Sequence, residues 1–132
     1  QRVLYRRAAL VWRTLQRAHD GADEAMIEAA GEVVRHGRRI LDSAESRTMG
    51  EQLTTDARQA LAASVAEAAY DVWRAGGARA TGEWSLSQHK AILARTPNDR
   101  AVLERTAALA ESLGADVPEP ERRAPVRQGG AP

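Results

Sequence analysis

Residues 4–18, LYRRAALVWRTLQRA, decide the fold class. Leu4, Ala8, Val11, Leu15 and Ala18 recur at spacings of four and three, which marks one apolar stripe on an α-helix rather than the alternation of a strand. Asp20 and Gly21 break the pattern, and Asp23 is placed to cap a second segment. There Met26, Ala30, Val33, Gly37 and Ile40 repeat the period through a helix expected to end near Leu41. Gly31 and Gly37 lie inside it. A mid-helix glycine costs about 1 kcal/mol relative to alanine, which points either to close approach by a neighbouring helix or to local fraying.

Further along, residues 42–48 are polar and read as a loop, and Thr48 with Glu51 has the spacing of a capping box. A long third helix follows, with Leu53, Ala57, Leu61, Val65, Ala68 and Val72 expected on its buried side and Gly76-Gly77 as its stop. Ser85 and Gln88 form a second box, which would open a short fourth helix through Leu86, Ile92 and Leu93, with Trp84 as a hydrophobic staple and the preceding residues as a connector. Thr96-Pro97-Asn98-Asp99 reads as the start of a fifth helix, with Thr96 as cap and Pro97 in the first helical position, running to Leu113 and stopping at Gly114.

No strand signal or internal repeat interrupts this series. The reading is an all-α bundle of about five helices over residues 1–114, three longer antiparallel helices plus a closing αα-hairpin. Residues 115–132 carry four prolines and two glycines without an apolar period, and are expected to be disordered or docked as an extended strip. The narrow stripe on the first helix suits a partner chain as well as its own core, so self-association fits the pattern.

Composition narrows the function classes. A chain of 132 residues supports one modest core. Nineteen basic residues balance eighteen acidic ones, yet all the bases except Lys90 are arginine, and 27 residues are alanine, as the codon bias of a high-GC bacterial genome produces. With no cysteine there is no disulfide, thiolate metal site or cysteine nucleophile, and a cytoplasmic location is expected. No apolar run approaches the roughly 18 residues of a membrane span; even 57–69 is broken by Arg58, Gln59, Ser64 and Glu67. The chain opens at Gln1 rather than Met, as a processed chain or a piece of a longer protein does.

Two basic features stand out. Arg2, Arg6, Arg13 and Arg17 fall on one face of the first helix, with Arg7 nearby, and no acid occurs before Asp20. Such a face either contacts phosphates, docks an acidic partner, or pairs with acids of neighbouring helices. The string Arg35-His36-Gly37-Arg38-Arg39 resembles a nucleic-acid patch, but Glu24, Glu28 and Glu32 precede it on the same helix in the order the helix dipole favours.

Other chemistry is weakly supported. His19, His36 and His89 are far apart in sequence, the nearest metal-like spacing being Glu32 four residues before His36, so no metal is expected. Gly77 and Gly82 have phosphate-loop spacing, but Glu83 stands where the lysine belongs. All-α ribonucleases of the HEPN type use R-x-x-x-x-H, whereas Arg13 and His19 have one residue too many between them. The fourth and fifth helices share the layout of a helix-turn-helix, but Asp99 at the start of the second is unfavourable near phosphate, so a plain αα-hairpin is expected. Trp12, Trp73 and Trp84 read as core or rim anchors, or as a hot spot for a partner.

The sequence therefore predicts a non-catalytic interaction or scaffolding module without cofactor, small-molecule ligand or membrane association. Its partner-binding residues would be Arg2, Arg6, Arg13, Arg17, Arg35, Arg38 and Arg39, and the partner a protein or a second copy. The alternative is a nucleic-acid-binding accessory protein contacting phosphates with little sequence selectivity; a helical ribonuclease is a distant third.

Overall fold

The computed structural model describes residues 2–18, 23–46 and 54–114. They form α1 (Arg2–Ala18), α2 (Glu24–Ser46), α3 (Thr55–Arg74), α4 (Arg79–Arg95) and α5 (Arg100–Leu113), with no strand among the described residues. Each helix packs on the next. Consecutive helices run antiparallel: Tyr5, early in α1, reaches Gly37, late in α2; Asp42, late in α2, lines one cavity with Thr55 and Arg58, early in α3; Gly82, early in α4, meets Trp73 at the end of α3; and Leu86, in the first half of α4, clusters with Leu109, in the second half of α5. The chain is an all-α bundle.

Among the described residues, three apolar clusters hold it. Trp12, Met26, Ala29, Ala30, Val33, Val65 and Ala68 join α1, α2 and α3. Ala66, Ile92, Leu93 and Val102 join α3, α4 and α5, while Leu86, Leu109 and Ala110 close the α4–α5 hairpin with Tyr70 and Trp73 against them. The alanines let backbones approach, so the large side chains carry most of the buried area. Close approach is literal at Gly37, where a Cβ would collide with the Val65 side chain, whereas Gly31 has nothing within 4 Å.

Several helix ends differ from the expectation. α2 runs past Leu41 to Ser46. The box at Thr48 and Glu51, and Leu53 with it, lies outside the described residues; α3 is capped by Thr54, whose side chain accepts from the Ala57 N–H at 3.1 Å. Ala57 itself is exposed. α4 starts six residues before Ser85, so the supposed connector is helical. Arg79 and Glu83 pair across its first turn at 2.9 Å, Gly82 sits against Trp73, and the Ser85 hydroxyl is buried, donating to the Ala66 carbonyl at 2.8 Å instead of capping. Tertiary packing has overridden a local cap signal.

At the α4–α5 corner, Thr96 ends α4, its hydroxyl donating to the Ile92 carbonyl at 2.9 Å. Asp99 is the cap of α5, accepting from the Val102 N–H at 3.2 Å. The stops at Gly76 (φ 98°) and Gly114 (φ 76°) are where the sequence places them, because both adopt the left-handed backbone that ends helices. No described helix is long and apolar enough to cross a membrane.

Candidate functional site

At 100° per residue, α1 divides into three faces of about 120° each. Trp12 anchors the first, fully buried, with Tyr5, Ala8, Ala9 and Leu15 packed around it. Arg2, Arg6, Arg13 and Arg17 form the second. The third is apolar and faces outward: Val3 and Leu10 are each 67% exposed, Leu4 43% and Val11 48%. The stripe read from the sequence as buried therefore splits along its length. Ala8 and Leu15 turn to the core, while Leu4, Val11 and the exposed Ala18 do not.

The arginine face is also divided. Arg13 is tied to α3, donating to Glu67 at 2.9 Å and lying 4.1 Å from the centre of the Trp12 ring. Gln16 donates to both Glu67 and Asp71 at 3.2 Å, and the Trp12 indole N–H donates to Asp71 at 2.9 Å. Burial raises the Glu67 carboxyl, but the hydrogen bond and charge of Arg13 outweigh it and hold Glu67 below the usual carboxylate range. Asp71, desolvated and beside Glu67, is instead pushed up. Arg13 thus fixes α1 in place. Arg2, Arg6 and Arg17 project from the exposed part of the face, and among the described residues Arg6 and Arg17 meet no acid.

Arg7 lies in the middle of the outward apolar face and, with Leu4 and Val11, forms one wall of an open groove of about 440 Å³; Glu28, Glu32 and His36 of α2 form the other. His36 meets Glu32 at 3.1 Å, and the hydrogen bond from Arg35 holds the Glu32 carboxyl low. The second basic string is thereby dispersed. Arg35 pairs with Glu32, Arg38 stacks on Trp84 with its guanidinium carbon 4.7 Å from the ring centre, and Arg39 remains exposed.

One polar cluster escaped the sequence reading. His89 and Ser85 are fully buried on α4, and Arg105 of α5 donates through Nε to His89 Nε2 at 2.9 Å. A guanidinium only donates, so Nε2 carries the lone pair and Nδ1 the hydrogen, which goes to the Ser85 carbonyl at 2.9 Å. The spacing of Ser85 and His89 signals that the two share a face; nothing in the sequence points to Arg105. Because Nδ1 carries its proton and Nε2 is occupied, this histidine has no lone pair for activating Ser85. His19, the other half of the ribonuclease-like spacing, lies outside the described residues.

The chain matches no family model, no curated protein and no solved structure.

Proposed function

We propose that this chain is a non-catalytic helical interaction module that binds a protein partner through α1. The outward face of Val3, Leu4, Leu10 and Val11, with Arg7 among them and Arg6 and Arg17 along one edge, is the observation that carries the reading. A phosphate-binding rail gains nothing from exposed leucine and valine, whereas a protein interface buries an apolar centre inside a charged rim. The partner is an amphipathic helix whose apolar stripe covers these four residues and whose acidic edge meets Arg6 and Arg17. A second α1 laid antiparallel on the first brings arginines against arginines, so in that arrangement charge favours a different chain.

The test uses a synthetic amphipathic peptide with leucines at helical spacing and glutamates along one edge, its binding to the full chain followed by fluorescence anisotropy. Leu10→Asp is expected to weaken binding by about tenfold or more while leaving the melting temperature unchanged, since the leucine contributes little to the core. Labelled duplex DNA and single-stranded RNA serve as counter-probes across a salt series. Tight nucleic-acid binding with a steep salt slope, lost in Arg6→Ala/Arg17→Ala and indifferent to Leu10→Asp, would replace the proposal. So would a dimer in sedimentation equilibrium that Leu10→Asp dissociates, since it would make a second copy the occupant.

A further inference from the structure

On the other side of the bundle, α2, α3 and α4 enclose a cavity of about 480 Å³. Each contributes one arginine to its lining: Arg38 from α2, Arg58 from α3 and Arg95 from α4. These residues are 20 and 37 positions apart in the chain, and only the antiparallel packing brings them together. Trp84 and Ile92 supply apolar wall, and among the described residues Asp42 is the one acid in the lining. The described lining thus brings three guanidinium-bearing side chains and one carboxylate around a partly apolar hollow. Its volume is within the roughly 300–1,000 Å³ usual for small-ligand sites.

We propose that this cavity binds a small organic phosphate, with the phosphate held by Arg38, Arg58 and Arg95 and an apolar or planar body against Trp84 and Ile92. Guanidinium groups suit the assignment because their planar forks present paired N–H donors to phosphate oxygens, and three of them approaching from three helices can meet a tetrahedral anion from separate directions. Arg38 is already stacked on Trp84, which limits the freedom it would lose on binding. The amides of Gln59 and Gln88 lie in the same lining and can donate to remaining oxygens. Asp42 opposes the anion, so it tunes affinity downward. This site is separate from the α1 surface and does not depend on its use.

Calorimetry of the full chain with 1-naphthyl phosphate, 1-naphthol and inorganic phosphate tests the assignment. The expected order is 1-naphthyl phosphate tightest, with the phosphate-free naphthol and the body-free inorganic phosphate each about tenfold or more weaker. Arg58→Gln and Arg95→Gln should each cost about tenfold, one charge-assisted hydrogen bond's worth, and Asp42→Asn should tighten binding. Circular dichroism melts confirm that each variant is folded. Adenosine monophosphate, offered in parallel, separates a nucleotide pocket from one that takes only smaller phosphate esters. The proposal fails if naphthol binds as well as its phosphate, or if folded arginine variants and Asp42→Asn leave the affinity unchanged.

Discussion

At the scale of single residues, His89 is the group whose environment has the plainest consequence. Burial lowers its pKa first. The Arg105 guanidinium adds to that, while the Ser85 carbonyl and the more distant Glu67 of α3 act in the opposite sense without reversing it. In the unfolded chain the imidazole titrates near about 6.5. Between that value and the lower folded one, the unfolded chain binds a proton that the folded chain does not. Stability from this group is therefore complete above the unfolded value and is lost as pH falls below it. Asn at this position keeps a side-chain N–H near the Ser85 carbonyl but cannot titrate. Urea unfolding of the native chain and of His89→Asn at pH 7.5 and at pH 5 should show a smaller loss on acidification in the variant. Equal losses would mean that the buried imidazole is not the proton-linked group. The sequence shows His89 four residues after Ser85, but the donor that fixes its tautomer comes from α5, where no local pattern reveals it.

At the scale of helices, existence and type were legible throughout, because apolar residues repeat with the helical period and Gly76 and Gly114 occupy the stopping positions. The glycine stops were legible, whereas the starts of α3, α4 and α5 were not, because several nearby residues of capping type compete for each: Thr54 caps α3 and Asp99 caps α5, where the sequence favoured Thr48 and Thr96. Ser85 followed by Gln88 has cap spacing, but a serine whose hydroxyl is consumed by a carbonyl of another helix cannot cap, and that carbonyl belongs to Ala66, nineteen positions away. Gly82 misled for the same reason. It looks like a connector glycine and is a contact glycine: a Cβ there would come within 2.5 Å of the Trp73 ring. Gly82→Ala should accordingly destabilise the protein by about 1–3 kcal/mol, the usual cost of overpacking. Gly31→Ala should do the reverse, stabilising by about 0.5–1 kcal/mol, because it has nothing within 4 Å and only helix propensity changes. Chemical denaturation of both variants separates the cases, and destabilisation by Gly31→Ala would contradict the packing assigned to α2.

At the scale of the whole molecule, the all-α bundle was readable from periodicity, whereas the split of α1 into core, basic and outward apolar faces was not. A stripe pattern reports which residues are apolar, not how many sides of the helix find neighbours, and among the described residues α1 is the end of a serial array and is covered chiefly by α2 and α3. α3 is the opposite case: Val65 and Ala68 serve the cluster with α1 and α2, and Ala66 serves the one with α4 and α5. All four of Val65, Ala66, Ala68 and Ala69 are fully buried, against Trp12 alone on α1. Unequal burial of this kind means unequal opening free energies, with the terminal helix detaching at a cost below that of global unfolding. Native-state hydrogen exchange should therefore find the slowest amides in α3, and α1 exchanging through a partial opening that leaves α3, α4 and α5 protected. Adding the acidic amphipathic peptide should slow exchange in α1 more than in α3, because a ligand for the docked helix opposes its detachment. Uniform exchange of α1 and α3 at every denaturant concentration would make the bundle one cooperative unit. α1 would then be a rigid platform, and a partner would gain nothing by securing it.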